Sequence, residues 1–386
     1  MAMARRNFIC VLGGGAIVAA GAALAVPRLD AMPASAIEGW SGPKAEERDP
    51  RRRAIAWAIL APNPHNMQSW LVDLKRPDEI VLYVDRDRLL PETDPFGRQI
   101  VVGQGAFLEL LSLALAAEGY RADMALFPEG EFAMDRIDGR PVARVRLVKD
   151  PAIKVDPLFA QVPRRRSTKT PYEARPLTEA HRQALIAVHN AASALPLGFA
   201  VSDGRAGDLR DIATKASDVE MHTPRTHKES IDRLRIGAAQ IAANRDGLVL
   251  NGPGVWFARQ LGLVTHEKAM TPGTTAWQSG RDFILAPYAN AMSFGWITAP
   301  SNRRSAQVVA GRAYARLNLK ATELGVAMQP HSQALQEYPE MADLYRAIHK
   351  TTITAEGLTV QMFFRLGYAD IPGPAPRRLP DSIVMS

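Results

Sequence analysis

GAFLELLSLALAAEG, Gly105 to Gly119, is a Leu- and Ala-rich stretch bounded by glycines, and GRAYARLNLKATELG, Gly311 to Gly325, matches it 206 residues later. Both have the apolar spacing of a helix. Leu111 falls on Leu317 and Leu113 on Leu319. An offset of 206 residues throughout predicts two related lobes, each of about 200 residues, following one another in the chain. Coincidence between two Leu/Ala-rich helices is the alternative.

The 386 residues, 47% of them hydrophobic, supply a core large enough for two such lobes and exclude a disordered or fibrous protein. The formal charge is +7; Arg5 and Arg6 supply two units, leaving +5 on the remainder, too diffuse for a nucleic-acid partner. Arg5-Arg6-Asn7-Phe8-Ile9, an apolar run to Val26 and the small-x-small site Ala23-Leu24-Ala25 resemble a twin-arginine signal over residues 1–25. An ordinary secretory signal, or an uncleaved anchor of 19 residues from Phe8 to Val26, is the other reading. The expected location is periplasmic or otherwise exported, with the twin-arginine export machinery as a partner and a membrane only if the leader stays on. The one cysteine, Cys10, lies in the leader, so cleavage leaves no thiol for a disulfide, a nucleophile or a metal. A route that carries folded proteins suits a cofactor inserted before export.

Residues 26–49, rich in Pro, Ala and charge without apolar period, read as a linker, with folding expected to start near Arg51. The first lobe is expected at 50–155 and the second at 156–386, with a lid at about 215–290. Ile55, Ile59 and Leu60 give a short helix face ending at Pro62, and Ile80 to Val84 a buried strand. Asp150 to Pro163 reads as a crossover, and Leu177 to Ala192 as a helix capped by Thr178. Glu229 to Asn244 has helical spacing. Gly247 to Tyr288, with Trp256, Phe257, Trp277 and Phe283, suits a lid or a loop packed on its own aromatics. The apolar run Leu358 to Leu366 predicts a strand, after which Pro376-Arg377-Arg378-Leu379-Pro380 either returns two arginines to a site or forms a basic tail.

Two stretches carry chemistry. APNPHNMQSW, Ala61 to Trp70, is a turn dense in amides and prolines between helix and sheet; such a turn faces a ligand or simply ends a helix. RRRSTK, Arg164 to Lys169, offers guanidiniums, a hydroxyl and an ammonium, the donor set of a phosphate monoester site, or a solvated basic face. Together they suggest a phosphorylated cofactor. Other constellations are poor: His222 and His227 have no metal-site spacing, so no metal is expected. Gly13 to Gly15 is leader, and Gly252 to Gly254 lacks the strand that a dinucleotide loop follows.

With these residues the chain resembles the nitroreductase-like flavoprotein superfamily, in its long fused two-lobe branch related to the mycobacterial Acg protein. Asp85 to Gln99, Glu229 to Ile236, Arg245 to Leu248 and Gln329 to Met341 also look like that branch. The resemblance implies an α+β nitroreductase-like fold, two fused lobes forming an intrachain pseudo-dimer, a monomer with one FMN per chain. It implies Pro62, Asn63, Asn66 and Gln68 against ring and ribityl chain, and Arg165, Arg166 and Ser167 on phosphate and ribityl oxygens. It implies Lys169 at the pyrimidine edge, backbone N–H groups near Ser332 and Gln333 facing the flavin N5, and Arg377 and Arg378 closing on the phosphate, Arg378 foremost. Where the superfamily turn reads Gln-Pro-Trp, this chain has Gln68-Ser69-Trp70, and serine lacks the fixed backbone angle of proline. The implied activity is two-step transfer from a small-molecule electron donor to an acceptor such as a nitroaromatic or quinone; the flavin carries the chemistry and no side chain is assigned a catalytic role. A flavin-binding or flavin-sequestering protein with a closed lid is the alternative.

Overall fold

The computed structural model describes residues 29–353 and 355–385; the leader read at residues 1–25 lies outside them. The first lobe opens with a short helix α1 (Ala34–Ile37), a 3-10 turn (Glu38–Ser41) and α2 (Pro50–Ala58). Asp49 caps α2 by accepting from Arg51 N, with Pro50 at the first helical position. Strands β1 (Trp70–Asp73) and β2 (Glu79–Val84) follow, then α3 (Arg98–Ala117), β3 (Tyr120–Leu126) and β4 (Ala143–Lys149). They form an antiparallel sheet in the order β1-β2-β4-β3. β2 alternates, with Ile80, Leu82 and Val84 buried and Val81 and Tyr83 half-buried, so one face alone meets the core.

The second lobe starts at α4 (Glu179–Asn190), capped by the Thr178 hydroxyl, and β5 (Leu197–Val201). Next comes a long insertion: α5 (Gly204–His222), α6 (Pro224–Asp232), β6 (Leu234–Ile236), α7 (Ala238–Asn244), β7 (Leu248–Leu250), α8 (Pro253–Gln260), α9 (His266–Met270) and α10 (Thr275–Ala289). The lobe resumes with β8 (Ser293–Ala299), α11 (Arg304–Glu323), β9 (Ala327–Pro330), α12 (Ala342–Thr352) and β10 (Thr359–Gly367). Its antiparallel sheet runs β5-β8-β10-β9, the order of the first lobe once the insertion and α12 are set aside. The architecture is α+β, with two like-ordered sheets and the paired helices α3 and α11 between them.

That helix pair packs backbone against backbone. A Cβ on Gly105 would lie 2.0 Å from the Val308 carbonyl oxygen, and one on Gly311 1.9 Å from that of Val102. These two contacts exchange when the 206-residue offset is applied, as across a two-fold axis. The offset does not hold throughout, however: β1 opens at Trp70 and β5 at Leu197, only 127 residues apart, because the α5–α10 segment is inserted after β5. α3 is long and apolar enough to cross a bilayer, yet it is a buried core helix packed on α2 and α11.

Two further expectations need correction. Residues 26–49 are not a tether where described: Trp40 is buried, and Arg377 N donates to the Ala36 carbonyl (2.8 Å). Residues 229–244 are not one helix: α6 stops at Asp232, β6 pairs in parallel with β7, and Gly237 takes φ 85° before α7 starts.

Replacing Gly311 with Ala is expected to force the two backbones apart and cost at least about 3 kcal/mol of stability. Gly207→Ala, within α5 and facing open space, should be neutral or stabilise by up to about 1 kcal/mol. Urea unfolding of both variants checks the pair.

Candidate functional site

Three arginines from two distant segments converge on one indole. Trp40 lies 4.1 Å from the Arg166 guanidinium carbon, 5.1 Å from that of Arg377 and 5.8 Å from that of Arg165, measured to the ring centre. The Trp40 Nε1 donates to the Ala375 carbonyl (2.7 Å), fastening the indole to the returning tail. The arginines find only neutral oxygens. Arg165 donates to Asn318 Oδ1 (3.0 Å) and the Leu60 carbonyl (2.9 Å), Arg166 to the Pro163 and Arg165 carbonyls, and Arg377 to Asn66 Oδ1 and the Pro376 carbonyl. The Nε of each is buried without a partner. Burial draws the Arg165 pKa down to about 10 and lowers that of Arg166. Burial, then repulsion from Arg165 and Arg166, takes Arg377 well below its ordinary value. Buried charge of one sign with unused donors is a place for an anion.

Arg377, not Arg378, completes this cluster. Arg378 turns aside, pairing with Asp85 (3.2 Å) and donating to the Gln68 carbonyl (3.1 Å), so its work is to seat the tail. Sequence could not separate the two, because successive side chains of an extended chain point to opposite sides.

The amide-rich turn is a clamp. His65, Asn66 and Gln68 all have positive φ (44°, 54° and 53°), unusual for residues with a Cβ. Asn63 Oδ1 accepts from Gln68 N (2.8 Å), Asn66 Nδ2 donates to the Pro376 carbonyl (3.0 Å), and Gln68 Oε1 accepts from Arg378 N (2.8 Å). Gln68 Nε2 donates to the Arg245 carbonyl (3.0 Å), tying the insertion to the same turn. The amides of Asn63, Asn66 and Gln68, expected against a ligand, are thus engaged with the tail, the insertion and one another. Pro62 is buried at the start of this turn.

Beyond the turn, Lys169 is exposed by surface area, yet the protein around it desolvates its ammonium and lowers the pKa. Ser167 is half-buried beside it in sequence. Arg365 holds this loop by donating to the carbonyls of Thr168 (3.2 Å) and Thr170 (2.8 Å). His65 is depressed to about 4 by burial, then by the charges of Lys169 and Arg233. Its Nε2 stands 3.9 Å from Glu220 Oε1, a carboxyl whose pKa burial raises and which accepts from Gln336 (2.9 Å) and Ser230 (3.1 Å). Gln333 keeps a buried, unpartnered Oε1, and the Ser332 carbonyl accepts from Gln99 (3.4 Å). Cavities of about 240 and 170 Å³ occur elsewhere, beside Phe96 and Glu337 and beside Phe199 and Trp296. Their linings do not include the arginine cluster or Lys169.

The insertion is latched over the turn. Asp246 pairs with Arg88 (2.5 Å) and Arg235 (2.8 Å), and Glu229 accepts from Thr93 N (2.9 Å) and its hydroxyl (2.6 Å). Trp277 packs edge-on against His222 and Trp256 against Phe257. Sequence reasoning missed Trp40, Glu220, Arg233 and Arg365 as parts of the site; a lone tryptophan in an aperiodic stretch was the only signal for the first.

No family model matches the chain. The "Putative NAD(P)H nitroreductase Rv3131" of Mycobacterium tuberculosis is 26% identical over 344 residues, covering 85% of this chain and 88% of the relative. The "Putative NAD(P)H nitroreductase acg" of the same organism is 36% identical over 77 residues, 20% of this chain and 23% of that one. Solved structures overlap loosely. A protein of Anabaena variabilis described as "a putative nitroreductase", 12% identical, covers 87% of this chain and 91% of its own with a TM-score of 0.41. The FMN and NADPH-dependent nitroreductase NfnB of a Sphingopyxis strain, 14% identical, covers 59% and 98% with a TM-score of 0.38. Over 85% of its length the chain is thus similar to proteins named as putative NAD(P)H nitroreductases.

Proposed function

We propose that the protein is an FMN-dependent oxidoreductase of the nitroreductase type, with one FMN held between the arginine cluster and the lid. The observation that carries this reading is the set of three guanidiniums around Trp40 with buried, unpartnered Nε atoms and no acid among their partners. A phosphate dianion supplies the missing charge and acceptors. Arg165, Arg166 and Arg377 would hold that phosphate, and Ser167 the ribityl hydroxyls. Lys169 would meet the pyrimidine edge, where its ammonium favours the reduced, anionic form. Backbone N–H groups at Ser332 and Gln333 would face N5. When bound, FMN carries two electrons from a small-molecule donor to an acceptor such as a nitroaromatic or quinone. The names of the mycobacterial relatives point to NAD(P)H as donor. Export under a twin-arginine leader would call for another.

One observation favours flavin retention with little turnover as the second reading: the lid is latched to the first lobe through Asp246 and Glu229.

Protein purified without added cofactor is expected to carry FMN near one per chain by visible spectrum and mass analysis; a colourless protein that cannot be reconstituted sinks the proposal. Arg377→Gln should weaken FMN binding about tenfold to a hundredfold but leave riboflavin, which lacks the phosphate, unaffected. Arg378→Gln should change FMN affinity little while lowering thermal stability. In Lys169→Met the two-electron potential of bound FMN should fall by roughly 30 to 65 mV, read by dye-coupled titration.

A further inference from the structure

A second cation without an acid partner lies on the lid side of the turn. Arg233 closes α6, and its carbonyl accepts from Leu248 N (2.9 Å), one residue after Gly247, whose N–H donates to the Asn66 carbonyl (3.2 Å). This backbone chain places Arg233 over the turn that carries His65. Its Nε is buried and has no partner, which sets it apart from a solvated surface arginine.

The neighbouring acids are all engaged elsewhere. Asp232 pairs with Lys228 (2.6 Å), Asp246 with Arg88 and Arg235, and Glu229 with Thr93. Glu220 accepts from Gln336 and Ser230 and faces His65, with burial favouring its neutral form. Burial first, and then the positive charges of Lys169 and Arg233, keep His65 neutral, with its Nδ1 buried and unpartnered. If Lys169 is committed to the cofactor, as proposed above, Arg233 is the cation left for whatever enters from the lid side.

We propose that Arg233 is the specificity-determining residue of this site, a lid guanidinium that selects acceptors bearing an anionic group, with nitroaromatic carboxylates as the chemical class. A guanidinium matches a carboxylate bidentately and gains most where water is excluded. The unpartnered Nδ1 of His65, a ring on which the Arg233 charge acts, supplies a further polar partner. Reduction of such an acceptor takes two electrons and two protons, converting the nitro group to a nitroso group and releasing water; the electrons come from reduced FMN, so the inference rests on the function proposed above.

The test uses the FMN-loaded full chain and two matched pairs of probes: benzoate and benzamide for binding by calorimetry, 4-nitrobenzoate and 4-nitrobenzamide for reoxidation of the dithionite-reduced protein. Wild type is expected to favour the anionic member of each pair. Arg233→Gln should lose about tenfold to a hundredfold of the benzoate affinity and of the 4-nitrobenzoate rate constant at low concentration, with the amides unchanged. Arg233→Lys should restore part of the loss, which a merely structural role would not produce. Equal affinity for benzoate and benzamide in wild type, or an unchanged preference in Arg233→Gln with its thermal stability intact, overturns the inference alone. A chain that takes up no FMN, or is loaded yet reduces neither nitro compound, overturns the function on which it rests.

Discussion

Everything else in this structure depends on two backbones touching. At Gly105 and Gly311 the central helices approach so closely that each glycine lies against a carbonyl of the other helix, and a single methyl group would fill the space. Side chains alone do not fix the relation of two helices so tightly; carbonyl against Cα leaves little freedom to slide or rotate. The consequence is a fixed distance between segments that belong to different lobes. Asn318 on α11 can therefore bond Arg165 while Leu60, just after α2, bonds the same guanidinium. The arginine cluster is assembled across the seam.

From that seam outward the polar groups divide into those that hold the scaffold and those left over. The turn at residues 61–70 looks like a binding loop by composition, yet its amides of Asn63, Asn66 and Gln68 are engaged with the tail, the insertion and each other. The positive φ angles of His65, Asn66 and Gln68 show what this arrangement costs locally, and the bonds around them show why the strain persists. Among the groups left unpaired are four guanidinium Nε atoms: those of Arg165, Arg166 and Arg377 near Trp40, and that of Arg233 on the lid.

The sequence was legible where a period or a repeat encoded the structure. The two long helices and the Thr178 cap could be read because spacing or residue chemistry marks them, but Gly105 and Gly311 lie inside their helices, which start at Arg98 and Arg304, and do not bound them. Trp40 could not, since nothing periodic surrounds it and its partners lie more than a hundred residues away. The break between α6 and α7 was hidden because β6 is only three residues long and its Leu234 and Ile236 fit a helical spacing as well. The 206-residue offset was true of the helices and false of the strands before them, because an insertion within the second lobe leaves no trace in the helices that follow it.

The tail has a temporal meaning as well as a spatial one. Trp40 bonds a carbonyl 335 positions later, and the arginine cluster draws its third guanidinium from Arg377. Since a chain emerges from the ribosome N-terminus first, Trp40 and Arg165 wait, incompletely paired, through the synthesis of both sheets. A chain cut or stalled before residue 375 would have every strand of the fold and still lack the clamp on the turn, the third charge and the Val384 bridge to β1. Assembly of the site is thereby a report that translation has passed that point.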